Sequence, residues 1–255
     1  MSPRAARRAP RPPSPSVSTL DLQEPFRRRA PTRESLRLVV FDWDGTLMDS
    51  IGTIVDCTLA AVGDVPGAPV PAAQTVRESI GLGLVETMQR FFPAGDPDLF
   101  TAVATAYRAR WLDEYKDRVT LLPGVIEAVR HLAGAGYLVG VATAKSRAGL
   151  ERELTKTGLG DLFHATRTVD EAPSKPAPGM LLQLFDELGV FAHQALMVGD
   201  TAWDLQMASN AGCGGVGVLT GGHSREQLEA AAALACLGSV AELPAWLGVA
   251  PRVAG

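Results

Sequence analysis

The chain has 255 residues, of which 46% are hydrophobic and 20% are charged, and its formal net charge is −4. This length and composition allow a substantial core, organised as one domain with an insert. No run of about 18 uncharged apolar residues occurs, so we expect no membrane span.

The charge is distributed unevenly along the chain. Residues 1–37 hold nine arginines against three acidic residues, which leaves the remainder with a net charge of about −10. Residues 1–36 are rich in Arg, Pro and Ser, and such a segment cannot bury enough surface to offset its ordering entropy. We predict a disordered basic tail, with an organellar transit peptide or a basic arm for RNA or anionic lipid as alternatives. The acidic remainder argues against nucleic-acid binding by the folded part.

The first predicted strand ends in two carboxylates. Residues 38–41 form an apolar, β-branched run that is typical of a buried strand, and Asp42 and Asp44 follow it. Side chains alternate along a strand, so both carboxylates can project toward one site past its carboxyl end, where open α/β sheets bind ligands. Two acids this close repel each other unless a cation or a proton lies between them. The pair therefore predicts a divalent cation, and oxygen ligands suit Mg²⁺.

A helical insert follows this strand. Apolar residues recur at helical spacing in four stretches, at about 50–62, 72–79, 85–92 and 99–115. Prolines and glycines break the chain between the first three of these stretches. We therefore predict an all-helical cap over residues 53–118, inserted between the first and second core strands.

The rest of the chain alternates between strands and helices. We predict strands at about 137–142, 163–166, 195–198, 215–219 and 234–237, and helices at about 123–133, 146–157, 178–188, 203–211 and 224–233. This alternation predicts a parallel, doubly wound sheet. The predicted fold class is therefore α/β, with a three-layer Rossmann-like core formed by residues 37–52 and 119–249.

Polar side chains follow four of the predicted strands. They are Asp42 and Asp44 after the first strand, Thr143 after the second, Lys175 in the loop after the third, and Asp200 and Asp204 after the fourth. Because the carboxyl ends of parallel strands meet at one edge of the sheet, we expect these side chains to converge. Thr143 also precedes a predicted helix start, where hydroxyl and N–H groups suit a phosphate.

Four segments resemble, in order, the motifs of the haloacid dehalogenase-like hydrolase superfamily. They are D-W-D-G-T-L-M-D-S at 42–50, A-T-A-K-S at 142–146, S-K-P-A-P at 174–178 and G-D-T-A-W-D at 199–204. The resemblance covers about residues 37–247. The position of the helical insert is similar to that of the C1 cap in the phosphoglycolate phosphatase-like branch.

The resemblance implies a Mg²⁺-dependent phosphatase that works through an aspartyl-phosphate. Asp42 would be the nucleophile, while Asp44 would protonate the leaving alkoxide and then activate water. Crowding by the other acids would keep Asp44 protonated at the first step. The metal ligands would be the side chains of Asp42 and Asp200 and the backbone carbonyl of Asp44.

The same resemblance implies a phosphate-binding pair and a supporting acid. Thr143 and Lys175 would bind the phosphate, and Asp204 would hold metal-bound waters or orient Lys175. The sequence has Ala144 where many relatives carry Asn or Gly, so any amide side-chain contact there is absent. The next residue, Lys145, could face either the mouth of the phosphate site or solvent, and we expect it at the solvent-facing rim.

The cap is expected to select the substrate. Gly81 lies in G-L-G-L, which resembles the small loop that relatives place over the active site, and its bareness suggests a small leaving group. Four arginines of the cap are candidates to bind a substrate carboxylate: Arg77, Arg90, Arg108 and Arg110. The alternative is that these arginines lie on solvent-exposed helix faces and bind no substrate. The resemblance favours 2-phosphoglycolate, hydrolysed to glycolate and phosphate, with another small sugar or nucleotide phosphate as the alternative.

Other activities fit the sequence less well. Related dehalogenases lack the second acid of the first motif, which is Asp44 here, so phosphate chemistry is favoured over dehalogenation. Related phosphosugar mutases carry a His shortly after that motif. Residues 51–56 contain no His, which argues against a mutase. The only cap lysine is Lys116, at the hinge, which argues against the Schiff-base chemistry of phosphonate-cleaving relatives. A non-catalytic phospho-ligand binder and a phospho-acceptor signalling domain are the remaining classes.

The three cysteines are Cys57, Cys213 and Cys236. They lie far apart and have no zinc spacing, which favours reduced thiols and a cytoplasmic location. The expected partner is a small phosphorylated metabolite, with no nucleic acid and no membrane. The sequence is compatible with a monomer or a homodimer.

Overall fold

A computed structural model describes residues 35–249 of the chain. The predicted basic tail, apart from its last two residues, lies outside the described residues. No helix within the described range is long and apolar enough to cross a membrane.

Short strands form two sheets in this part of the chain. In chain order they are β1 (Leu38–Phe41), β2 (Met48–Asp49), β3 (Thr120–Leu121), β4 (Leu138–Thr143), β5 (Ala165–Thr168), β6 (Ala195–Gly199), β7 (Gly214–Val218) and β8 (Cys236–Leu237). Six of them form a parallel sheet in the order β5-β4-β1-β6-β7-β8. The remaining two, β2 and β3, pair antiparallel where the chain leaves the core and returns to it.

The strands are connected mainly by α-helices. In chain order they are α1 (Ile51–Gly63), α2 (Ala73–Ser79), α3 (Leu84–Phe91), α4 (Pro97–Arg110), α5 (Val125–Gly134), α6 (Arg147–Thr157), α7 (Gly179–Leu188), α8 (Ala202–Ala211), α9 (Arg225–Ala230) and α10 (Leu243–Trp246). A π-helical turn, Trp111–Tyr115, extends α4.

The parallel sheet is buried on both faces, which gives the predicted three layers. Side chains alternate along β1, so Val39 and Phe41 join one apolar cluster while Leu38 and Val40 join the other. The first cluster includes residues of α5, α6 and α10, and the second includes residues of α7 and α8. The predicted α/β fold class is therefore confirmed.

Helices α1 to α4 lie between β2 and β3 and share a smaller apolar cluster. Its buried members are Val55, Val62, Val76, Met88, Phe91, Phe92 and Val103. This helical unit packs over the carboxyl edge of the parallel sheet, so the site described below lies between two bodies of structure.

Some element boundaries differ from the sequence-based predictions. Helix α4 begins at Pro97 rather than Leu99, because the Asp96 carboxylate accepts hydrogen bonds from the N–H groups of Asp98 and Leu99. Strand β5 starts two residues later than predicted, since its pairing with β4 places Ala165 opposite Gly140. Local periodicity does not encode that long-range register.

Candidate active site

A buried cluster of charges lies past the ends of β1 and β6. Lys175 Nζ is 2.5 Å from Asp42 Oδ1 and 2.7 Å from Asp204 Oδ1, and its side chain is fully buried. Asp204 is fixed in turn, because its Oδ2 accepts hydrogen bonds from the Thr201 N–H (3.1 Å) and hydroxyl (2.6 Å). The lysine is therefore held between the first acid of β1 and the acid in the first turn of α8.

Asp200, the residue after β6, completes this cluster. Its Oδ1 accepts a hydrogen bond from the Thr46 hydroxyl at 2.9 Å, and its Oδ2 accepts one from the Gly222 N–H at 2.7 Å. Oxygens of Asp42, Asp200 and Asp204 lie within 4.8 Å of one another. Two segments that are far apart in sequence therefore present three carboxylates to one point.

The charge of this cluster suits a divalent cation. Burial raises the pKa of Asp42 well above its usual value, against the opposing effect of Lys175, and burial with the charge of Asp204 raises the pKa of Asp200 to about 7. Burial alone would lower the pKa of Lys175, but Asp204 and Asp42 raise it above the usual value. The cluster holds three acids and one lysine, so an added cation that prefers oxygen ligands, such as Mg²⁺, would balance the excess negative charge.

Asp44 lies outside this cluster and is paired with a different lysine, Lys145. Lys145 Nζ donates to both carboxylate oxygens of Asp44 at 3.0 Å, and the Ser50 hydroxyl donates to Oδ1 at 2.8 Å. The three clustered acids therefore do not include Asp44, whose closest charged partner is a lysine. Asp44 instead lines the cavity between the helical unit and the core.

Lys145 belongs to a second buried network. Its Nζ is 3.0 Å from Glu153 Oε1, and Glu153 also accepts a hydrogen bond from the Trp43 indole. Only about 11% of the Lys145 side chain is exposed, so the prediction of a solvent-facing rim was wrong. The two acids reverse the effect of burial and raise the pKa of Lys145. The ion pairs with Asp44 and Glu153 hold the lysine away from solvent, and the residues next to it in sequence did not indicate this.

Thr143 is the last residue of β4, and its side chain is buried. Its hydroxyl oxygen accepts a hydrogen bond from the Lys145 N–H at 3.2 Å. Strand β4 pairs with β1, so Thr143 lies at the same sheet edge as Asp42. The structure thus gathers all six predicted core residues at one edge, divided into the Lys175 cluster and the Lys145 network.

The loop between α2 and α3 reaches the core. Gly81 has φ +92°, and a Cβ there would lie 3.4 Å from Thr201 Oγ1. Two residues later, a Cβ on Gly83 would collide with the Ser174 side chain, whose hydroxyl donates to Glu86 at 3.0 Å. The two glycines therefore allow close approach of this loop to the segments around Asp200 and Lys175.

The candidate arginines lie in different environments. Arg108 lines the cavity between the helical unit and the core, whereas Arg77 is half-buried and is not among the residues that line it. Arg90 lies over the Trp203 ring, and Arg110 forms an ion pair with Asp64. A further arginine on the cavity wall, Arg152 of α6, was not singled out from the sequence.

Sequence reasoning also missed the loop after β7. Gly222 supplies an N–H to Asp200, and a Cβ on Gly221 would overlap the Asp200 carboxylate. Thr220 donates its hydroxyl to the Gly45 carbonyl at 2.6 Å, which ties this loop to the turn after β1. Adjacent glycines after a predicted strand were the only available signal.

Comparison with known proteins gives a consistent result. A model of the haloacid dehalogenase-like hydrolase family matches residues 39–218. The probable phosphatase IndB of Dickeya dadantii is 36% identical over 199 residues, which cover 76% of this chain and 86% of that protein. A phosphoglycolate phosphatase of Rhodospirillum rubrum is 35% identical over 221 residues, which cover 83% of this chain and 91% of that protein.

Solved structures show the same architecture. The crystal structure of a predicted phosphoglycolate phosphatase from Haemophilus somnus superposes with a TM-score of 0.74 at 25% identity. The match covers 83% of this chain and 98% of that structure. A haloacid dehalogenase-like hydrolase from Bacteroides fragilis gives a TM-score of 0.76 at 23% identity and covers 82% of this chain and 99% of its own.

Proposed function

Because the chain belongs to the haloacid dehalogenase-like hydrolase family and is a phosphatase, we propose that it hydrolyses phosphate monoesters of small metabolites with Mg²⁺. In this proposal Asp42 attacks the phosphorus atom and carries the phosphoryl group as an aspartyl-phosphate. Water then releases phosphate and regenerates the carboxylate.

The observation that carries the proposal is the contact of Lys175 with Asp42 and Asp204. A phosphate dianion repels an anionic nucleophile, so attack by Asp42 needs positive charge beside it. Lys175 supplies that charge at 2.5 Å, and Asp204 keeps the ammonium group in place. We therefore assign to the Lys175 ammonium group a contact with the nucleophile, Asp42, and a second contact with the incoming phosphate.

Asp44 and Thr143 complete the proposed chemistry. Asp44 transfers a proton to the leaving oxygen and later removes one from the attacking water. Its carboxylate borders the cavity and is oriented by Lys145 and Ser50. The Thr143 oxygen accepts the Lys145 N–H, which leaves its own proton available to a phosphate oxygen.

We assign the Mg²⁺ site to the side chains of Asp42 and Asp200 and the backbone carbonyl of Asp44. The excess of buried carboxylates over ammonium groups supports this assignment. When bound, Mg²⁺ would neutralise charge on the transferring phosphoryl group. Asp200 is already oriented for a ligand role by Thr46 and Gly222.

The relatives' names make 2-phosphoglycolate the first substrate candidate, with glycolate and phosphate as products. Other small sugar or nucleotide phosphates form the alternative class. We further propose a cytoplasmic location, which the free thiols of Cys57, Cys213 and Cys236 support.

The test is phosphate release from small phosphomonoesters with Mg²⁺, compared with the same assay in excess EDTA. We expect release only with Mg²⁺, and we expect Asp42→Asn to lose it while its circular dichroism and melting temperature stay close to wild type. Asp56→Asn, which changes an exposed acid on α1, is the matched control and should retain activity. Turnover by folded Asp42→Asn would contradict the nucleophile assignment, and equal release in EDTA would contradict the metal assignment.

A further inference from the structure

A cavity of about 560 Å³ lies between the helical unit and the core, directly beyond Asp44. Most of its wall is apolar and includes Ile54, Val76, Met88, Phe91, Val103 and Tyr107. Leu84 and Leu112 also line it and are 52% and 41% exposed. The wall therefore presents apolar surface that a bound molecule would cover.

The size of the cavity does not match a two-carbon leaving group. Pockets of roughly 300–1,000 Å³ typically enclose most of a drug-sized ligand and are lined mainly by apolar side chains. Glycolate has no apolar body to contact such a wall, so much of the cavity would remain filled with water. The stacked rings of Tyr107 and Trp111, whose centroids are 5.9 Å apart, add flat apolar surface.

Two solvent-exposed arginines line this cavity. Arg108 projects from α4 of the helical unit, and Arg152 projects from α6 of the core. Within residues 35–249 neither guanidinium has a hydrogen-bond or ion-pair partner. Other arginines of the same helices are paired: Arg110 with Asp64, and Arg147 with Glu171.

The acids on the wall already have partners. Asp44 is paired with Lys145, and Asp170 accepts a hydrogen bond from the Arg147 N–H at 2.7 Å. The two guanidinium groups are therefore the cationic groups on the wall that remain available to a ligand. A guanidinium binds a carboxylate or a phosphate with two parallel hydrogen bonds. The phosphate of the substrate is assigned to Lys175 and Thr143, so a carboxylate on the leaving group is the anion that fits these arginines.

We propose that the preferred substrate is the phosphate monoester of a bulky apolar alcohol that carries a carboxylate. This inference rests on the proposed phosphatase function and specifies its leaving group. The apolar wall covers the body of the alcohol, while Arg108 and Arg152 bind its carboxylate. 2-Phosphoglycolate has the carboxylate but lacks the body, so it ranks below such a substrate.

Four phosphates of primary alcohols test the contribution of the apolar body separately from that of the carboxylate. Ethyl phosphate has neither, phosphoglycolate has only the carboxylate, benzyl phosphate has only the apolar body, and 4-(phosphonooxymethyl)benzoate has both. We expect kcat/KM to be highest for the last compound, by roughly tenfold or more over phosphoglycolate, because filling a hydrophobic pocket contributes at least that much. Equal or better turnover of phosphoglycolate would overturn the inference and leave the phosphatase proposal intact.

Substitutions of the two arginines test whether they bind the carboxylate of the substrate. Arg108→Gln and Arg152→Gln should each lower the preference for 4-(phosphonooxymethyl)benzoate over benzyl phosphate by about tenfold, because each removes a charged hydrogen bond. Arg130→Gln, at an exposed position on α5 away from the cavity, is the matched control and should keep that preference. An unchanged preference in both cavity variants would overturn the role of the arginines.

A cavity-filling variant tests the role of the apolar wall. Ala104 lines the cavity from α4, so Ala104→Phe should lower the ratio of kcat/KM for benzyl phosphate to that for phosphoglycolate. An unchanged ratio in the folded variant would overturn the assignment of this wall to the leaving group. Absence of phosphate release from all four compounds with wild-type enzyme and Mg²⁺ would instead contradict the proposed function itself.

Discussion

Lys145 donates to both oxygens of Asp44 from the loop after β4, with both distances at 3.0 Å. The same ammonium group contacts Glu153 and lies 5.4 Å from the centre of the Trp111 ring, at the base of the helical unit. Asp44 is thus oriented by a residue 101 positions later in the chain. Lys145 is therefore a positioning residue for the proposed proton-transfer group.

Replacing this lysine should affect both activity and stability. In Lys145→Met we expect kcat to fall at least about tenfold, since a positioned general acid–base contributes that much or more. KM should change little, because the contact orients Asp44 rather than the substrate. We expect the free energy of unfolding to fall by about 3 kcal/mol, because two mostly buried acids lose their cation. Steady-state kinetics and urea denaturation measure the two effects.

The control for this variant is Lys156→Met, at a lysine whose side chain is 40% exposed and whose partner Asp117 is 3.5 Å away. Its unfolding free energy should change by less than about 1 kcal/mol, as expected for a surface ion pair. Wild-type kcat in Lys145→Met would show that Asp44 does not depend on this contact.

Mg²⁺ should stabilise the folded chain in the absence of substrate. A ligand that binds only the native state raises its stability by about 2.7 kcal/mol at a concentration of 100 Kd. For a chain of this size that corresponds to roughly 5–10 °C in melting temperature. Asp200→Asn should lose this shift, whereas Asp170→Asn on the cavity wall should keep it. A melting temperature that does not respond to Mg²⁺ in wild type would contradict the assigned site.

Gly221 should be sensitive to the smallest possible side chain. A Cβ at this position would overlap the Asp200 carboxylate, so Gly221→Ala has to displace either the loop or the acid. We expect phosphate release to fall by more than about tenfold, because small misplacements of catalytic groups have effects of that size. The shift in melting temperature with Mg²⁺ should shrink in parallel.

Gly52→Ala is the matched control for this substitution. Nothing lies within 4 Å of a Cβ at Gly52, which is in α1, so we expect normal activity and a gain of about 0.5–1 kcal/mol in stability. If both alanine variants behaved alike, close packing against Asp200 would not be the reason for a glycine at 221.

The ion pair of Arg147 with Glu171 should make stability depend on pH in the acidic range. Arg147 lowers the pKa of Glu171 below its usual value, so the ionised acid stabilises the fold above the unfolded pKa of about 4.3. This contribution is lost as the pH falls through the lower folded pKa. Glu171→Gln should therefore melt below wild type at pH 7, and the difference should shrink below about pH 4.

Partial exposure limits the size of that effect. The two side chains are about 30% exposed, so the pair should contribute no more than about 1 kcal/mol at pH 7. Thermal melts of both proteins between pH 3 and pH 7 provide the measurement. A constant difference across this range would show that ionisation of Glu171 is not its source.

The sequence by itself determined the alternation of strands and helices, the helical insert and the positions of the polar groups at strand ends. These features are local, because the periodicity of burial and the residues that end each element lie within short windows. Helices between successive strands predict that the strands lie parallel, so their carboxyl ends meet at one edge of the sheet. For this reason Asp42, Asp200 and Lys175 could be expected at one edge.

The tertiary structure alone decided which charges pair and how large the cavity is. Lys145 turns inward because Asp44 and Glu153 meet it from different elements, and Gly221 matters because Asp200 packs against it. Arg152 and Arg108 line one cavity, which exists only once the helical unit packs on the core. Such relationships depend on register and packing between distant segments, which no local pattern of residues encodes.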